Sequence, residues 1–143
     1  MRATKPTGML MVVTYRCLIV DDNESFLAAS RAMLQRQGVS VVAVARTVAE
    51  GLRCAEELTP DLILVDIDLG EDSGFDLARR LAERDHGVPV DVILISTHPE
   101  DDFVDLIGES PVLGFVSKSD LSKWAIEQVL RRSRSGGSEE ASG

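Results

Sequence analysis

Between Tyr15 and Arg132 the chain alternates short apolar runs with longer amphipathic segments, five times over. The runs are too short for helices and rich in Val, Ile and Leu, which predicts strands buried on both faces. Arg16–Val20 is the first strand. The helix after it opens on Asn23 as N-cap, turns Phe26, Leu27, Ala29, Met33 and Leu34 inward, and stops at Gly38. Val39–Ala45 is the second strand, followed by a helix from Thr47 that aligns Val48, Leu52 and Ala55 and is closed by Pro60. Leu62–Val65 runs into an acidic loop, residues 66–74, and then a helix whose Leu77, Ala78, Leu81 and Ala82 form the clearest apolar face in the chain. Val90–Ile95 is the fourth strand. A short helix over Pro99–Ile107 turns Phe103, Val104 and Ile107 inward and Glu100, Asp101, Asp102 and Asp105 outward. Gly114–Ser117 is the fifth strand, and Leu121, Ala125, Ile126, Val129 and Leu130 mark a last helix capped by Ser119 or Asp120.

Strands that alternate with single helices across short loops need right-handed crossovers and a parallel sheet covered on both faces. The pattern therefore predicts an α/β fold, a doubly wound (βα)5 three-layer sandwich, over residues 15–132. Residues 1–14 read as a loosely held extension. Residues 133–143 have no apolar anchor and read as a disordered tail or linker stub. The 143-residue length suits one such domain.

Charge narrows the function classes. Lys and Arg total 15 against 24 Asp and Glu, a formal charge of −9, which argues against direct binding of nucleic acid by this chain. Cys17 and Cys54 show no metal-site spacing and read as packing residues in a reducing compartment. The run Met9–Val13 is too short for a secretory signal, and no stretch is long enough to span a membrane, so a cytoplasmic location is expected. Trp124 reads as partly buried packing, and His86 as a surface-loop residue.

In open parallel sheets the ligand site lies outside the carboxyl ends of the strands. Those ends carry Asp21 and Asp22, then Asp66 with Asp68 two residues on, then Ser96 and Thr97, then Lys118. Carboxylates converging in one crevice repel each other unless a cation lies between them, and all-oxygen ligands suit Mg2+ or Mn2+. A Lys ammonium and a Ser hydroxyl added to that set can neutralise and hydrogen-bond a phosphoryl group, so an acyl phosphate on one Asp is the chemistry the set serves.

With these residues in place, the sequence resembles the receiver domain of two-component response regulators, the CheY-like superfamily. The likeness spans residues 15–132 and rests on Cys17-Leu-Ile-Val-Asp-Asp-Asn23, Leu62-Ile-Leu-Val-Asp-Ile-Asp-Leu69, Val92-Ile-Leu-Ile-Ser-Thr-His98 and Gly114-Phe-Val-Ser-Lys118. It implies a flavodoxin-like strand order, 2-1-3-4-5. It also implies that Asp66 accepts phosphoryl from a sensor histidine kinase or a histidine phosphotransfer protein. Asp22, Asp66 and the backbone carbonyl of Asp68 would hold Mg2+, with Asp21 acting mostly through a bound water. Lys118 would pair with Asp66 and then with the phosphoryl oxygens. Ser96 would move to the phosphoryl group, and Phe115 would turn into the space it leaves. That switch would remodel the face of the fourth helix, fifth strand and fifth helix for a downstream protein partner or a homodimer.

Some positions depart from the usual pattern. Lys118 is followed by Ser119 where many relatives carry Pro, and Lys-Ser-Asp-Leu resembles the branch whose longer members bear a helix-turn-helix output domain. Thr97 is bulkier than usual beside the switch hydroxyl. Asp68 and His98 at the mouth are candidate modulators of phosphoryl lifetime, by repelling or orienting water. Two rival readings remain at this stage. One is a haloacid-dehalogenase-like phosphatase using Asp66 and Asp68. The other is a receiver fragment of a DNA-binding response regulator.

Overall fold

In the computed structural model, which describes residues 15–84 and 90–142, five parallel strands form one sheet in the order β2-β1-β3-β4-β5. They are β1 (Arg16–Val20), β2 (Ser40–Ala45), β3 (Leu62–Asp66), β4 (Asp91–Ser96) and β5 (Gly114–Ser117). Four helices alternate with them: α1 (Glu24–Arg36), α2 (Val48–Leu58), α3 (Gly74–Glu83) and the short α4 (Val104–Glu109). A fifth, α5 (Lys123–Ser142), closes the domain. The (βα)5 fold and the 2-1-3-4-5 order read from the sequence are both present.

Alternation along the strands sorts the core into two layers, because successive side chains point to opposite faces. Cys17, Ile19, Leu62, Leu64, Ile93 and Ile95 meet Leu27 and Leu34 of α1 and Ile126, Val129 and Leu130 of α5. Leu18, Val20, Ile63, Val65, Val92 and Leu94 meet Val48, Ala55, Leu77 and Ala78 of α2 and α3, with Phe103, Ile107 and Phe115 packed alongside. The sheet is thus buried on both sides, and polar groups can collect only at its ends. Cys17 lies wholly inside and burial pushes its thiol up to about 12, which makes it a packing residue.

Helix starts follow local chemistry. Asn23 Oδ1 accepts the Phe26 N–H at 3.0 Å and Thr47 Oγ1 accepts the Glu50 N–H at 3.0 Å, each satisfying an orphan donor of the first turn. Gly38 ends the turn after α1 with φ +97°, a conformation that suits glycine.

Four expectations need correction. The cap of α5 is Ser122, whose Oγ accepts the Ala125 N–H at 3.0 Å, because Lys118–Asp120 are first taken up by a 3-10 turn. The acidic segment after β4 starts as a 3-10 turn, Glu100–Phe103, so the face of α4 rotates and Val104 is left 55% exposed. Trp124 is 69% exposed and not packed. Finally, α5 continues to Ser142, where the sequence suggested a disordered tail from Ser133. Once nucleated on the packed turns around Ile126 and Leu130, a helix extends without a new nucleation cost, and no Pro stops it. The extension 1–14 and His86 lie outside the described residues.

Gly74, the first residue of α3, sets how closely that helix approaches the end of β3. Its N–H donates to the Ile67 carbonyl at 2.9 Å, and a Cβ placed on it would lie 2.5 Å from the Asp66 carbonyl oxygen. In a free helix Gly→Ala gains up to about 1 kcal/mol, but here the clash is with backbone that has no rotamer to escape into. Gly74→Ala is expected to destabilise the domain by about 1–3 kcal/mol in denaturant unfolding; an unchanged or raised midpoint would contradict this packing.

Candidate functional site

The reversal of strand order between β1 and β3 opens a crevice at the carboxyl edge of the sheet, and the sequence-predicted polar residues meet there. Asp21 follows β1, Asp66 ends β3, Ser96 ends β4 and Lys118 follows β5. Carboxylate oxygens of Asp21, Asp22 and Asp66 lie within 4.8 Å of one another. Asp21 is fully buried, Asp66 is nearly so, and Asp22 is exposed at the mouth.

One ammonium holds the two buried acids together. Lys118 Nζ is 2.6 Å from Asp21 Oδ2 and 2.9 Å from Asp66 Oδ2. The other oxygens take backbone donors: Asn23 N–H gives to Asp21 Oδ1 at 2.8 Å, and Asp68 N–H gives to Asp66 Oδ1 at 3.0 Å. Burial pushes the Asp66 carboxyl above its usual range; the Asp68 N–H and Lys118 oppose that, and the charge of Asp21 adds to it. Burial also works against the Lys118 ammonium, but the Asp21 and Asp66 carboxylates outweigh it and hold it above the ordinary lysine value.

Among the described residues, one paired ammonium against three carboxylates leaves the crevice net negative. Asp21 Oδ2 is buried, and among the described residues it meets the Lys118 ammonium and no second donor. A buried carboxylate oxygen met by one ammonium, next to two further carboxylates that offer hard oxygen ligands, fits a divalent cation of the hard class.

Around this centre the remaining candidates take distinct places. Ser96 is 1% exposed, and its Oγ accepts the His98 N–H at 2.9 Å. Thr97 and His98 are exposed at the rim, and the His98 ring lies edge-on to Phe103 at 6.3 Å between centroids. Phe115 is half-buried against Phe103, 6.5 Å between centroids, and its strand partner is Leu94, so it shares a sheet face with Ser96 two residues on. The Asp68 side chain is exposed and stands outside the carboxylate cluster, in a two-residue ribbon, Asp68–Leu69 paired with Asp72–Ser73, that the sequence did not reveal.

Sequence reasoning also missed Phe26 at this site. Its ring centroid is 4.4 Å from Lys118 Nζ. As an apolar residue at a helical core position it carried no separate signal.

Comparisons with known proteins agree with this geometry. The family model described as "Response regulator receiver domain" matches residues 17–129. The virulence-factor transcription regulator BvgA of Bordetella pertussis is 28% identical over 103 residues, which are 72% of this chain and 48% of that protein. The transcriptional regulatory protein LiaR of Bacillus subtilis is 30% identical over 105 residues, 73% of this chain and 49% of that protein. The chain thus spans about half the length of these relatives. Among solved structures, the signal receiver domain of the response regulator NarL from Mycobacterium tuberculosis superposes with a TM-score of 0.71 at 26% identity. The match covers 86% of this chain and 98% of that one. These matches favour the receiver reading over the phosphatase reading, whose second aspartate, Asp68, is not among the clustered acids. The chain belongs to the response regulator receiver domain family.

Proposed function

We propose that Asp66 is the phosphoacceptor of this receiver domain, taking a phosphoryl group from a histidine kinase or a phosphotransfer protein. The observation that carries the proposal is the pairing of a buried Asp66 with Lys118 inside a three-carboxylate crevice. An Asp66 oxygen attacks phosphorus, the donor's imidazole leaves with the bond electrons, and an aspartyl phosphate results. Asp22, Asp66 and the Asp68 carbonyl would hold Mg2+, with Asp21 reaching it mostly through water; when bound, the ion supplies charge to offset the incoming phosphoryl oxygens. Lys118 already touches Asp66 and needs only a small shift to meet the same oxygens. Asn23 and Asp68 N–H groups hold the two acids in place meanwhile.

Signal output follows from the switch pair. Ser96 would leave the His98 N–H for the phosphoryl group, and Phe115, on the same face, would turn into the vacated space. The surface beside Phe115 supports a partner-reading role: a groove of about 600 Å³ between β5 and α5 is lined by Phe115, Trp124, Val129 and Arg132, with Glu100 and Asp120 at its edges. Exposed Val104 and Leu106 of α4 add apolar area nearby. A downstream protein or a second copy meeting the α4-β5-α5 face is therefore the proposed reader. No helix of the described residues is long and apolar enough to cross a membrane, and a cytoplasmic site of action is proposed with the kinase partner.

Thr97, His98 and Asp68 are proposed to set phosphoryl lifetime. Asp68, at the exposed rim, can accept a hydrogen bond from an attacking water and orient it.

Two tests follow. Incubated with a small phosphodonor and Mg2+, the wild-type chain is expected to gain one phosphoryl mass and Asp66→Asn none; labelling of Asp66→Asn, or none of wild type, would refute the assignment. For the rim, Asp68→Asn is expected to lengthen the life of the phosphorylated form by about two- to fivefold, the scale of an exposed charge interaction; an equal lifetime would remove Asp68 from the account.

A further inference from the structure

Lys118 brings three N–H bonds to the crevice. Asp21 Oδ2 at 2.6 Å and Asp66 Oδ2 at 2.9 Å answer two of them, and the third neighbour is the ring of Phe26, 4.4 Å away at its centroid. This distance is well inside the range at which a cation is drawn to an aromatic face. We propose that Phe26 is a positioning residue whose ring face fixes the Lys118 ammonium against Asp21 and Asp66, aimed at the phosphoryl group that arrives on Asp66. The proposal rests on Asp66 being the phosphoacceptor.

The ring is itself held in place. The Phe26 N–H donates to Asn23 Oδ1 at 3.0 Å, the Asn23 N–H donates to Asp21 Oδ1 at 2.8 Å, and Ser30 Oγ donates to the Phe26 carbonyl at 2.7 Å. The contacts close a circuit from Asp21 through Asn23 to Phe26, across its ring to Lys118 and back to Asp21. The first turn of α1 thereby reports the position of one acid to the cation that pairs with it.

Chemistry favours a ring over a polar group at this place. Lys118 must pivot from carboxylate to phosphoryl oxygens as the reaction proceeds. A hydrogen-bond acceptor would hold the ammonium along one line, whereas an aromatic face attracts it without fixing a direction and keeps water off its third side. An aliphatic residue would fill the volume but supply no such attraction. The distinction separates positioning from plain packing.

The test uses the whole chain as wild type, Asp66→Asn, Phe26→Leu, Phe26→Tyr and Phe26→trifluorophenylalanine, whose ring keeps its shape but loses its electron-rich face. Three quantities are read: the labelling rate with a small phosphodonor and saturating Mg2+, the thermal midpoint, and the proton shifts of the Lys118 ε-methylene without metal or donor. The Lys118 signals are expected upfield in wild type from the ring current and at their ordinary position in Phe26→Leu. Labelling is expected to slow about fivefold in Phe26→Leu and in the trifluorinated ring, with the midpoint of the latter unchanged and Phe26→Tyr within about twofold of wild type. Wild-type labelling speed with the trifluorinated ring, or identical Lys118 signals in wild type and Phe26→Leu, would overturn the proposal. Failure of wild type to label, or labelling of Asp66→Asn, would instead overturn Asp66 as acceptor, while the Lys118 shifts would still decide the contact with Phe26.

Discussion

The pairing of one ammonium with two buried carboxylates governs this molecule's polar centre. Lys118 lies between Asp21 and Asp66 at the carboxyl edge of the sheet, where charges can gather without disturbing the apolar layers. Removing such charges from water is costly, and attraction to a single cation offsets that cost only when the geometry is tight and the remaining oxygens find donors. Asn23 and Asp68 N–H groups provide those donors for Asp21 Oδ1 and Asp66 Oδ1. The charge count still does not balance, and on the proposed reading that imbalance is what draws a further cation and, through it, a phosphoryl group.

The fold serves this centre by keeping its parts on separate, rigid supports. Each functional side chain sits at the end of a different strand, and the strands are locked in register by ladders such as Asp66 with Ile95 and Ser96 with Ser117. Gly74 lets α3 start against the Asp66 carbonyl, so Asp66 is backed by a helix. Half-buried Phe103 and Phe115 lie ring to ring, and Phe115 and Trp124 line the groove beside α5. A fixed Asp66 and a half-buried aromatic pair suit the proposed switch: the first would capture the signal, and the second can change at low cost.

Most of this was legible in the sequence because it depends on periodicity and on strand ends. Strands buried on both faces leave unbroken apolar runs, so β1, β3 and β5 were located within a residue, and polar residues directly after them had to fall at the crevice. What escaped depended on contacts between distant segments. The cap of α5 moved to Ser122 because Lys118–Asp120 form a 3-10 turn and Gln37 of the α1 end accepts the Lys123 N–H at 2.7 Å, neither of which has a local signature. Val104 and Trp124 are apolar at helical spacing and still face outward, since period alone does not say which face meets the sheet once a 3-10 turn shifts the phase. Phe26 looked like core and also meets a cation, a role that only the three-dimensional arrangement assigns.

The central claim is that these carboxylates are frustrated until a divalent cation joins them. The most direct measurement is the thermal midpoint of the unphosphorylated chain across a Mg2+ titration, for wild type and Asp22→Asn. The account predicts that the wild-type midpoint climbs with the logarithm of Mg2+ concentration once past the dissociation constant, and that Asp22→Asn starts higher and climbs far less. A flat wild-type curve, or parallel curves for the two proteins, would contradict it.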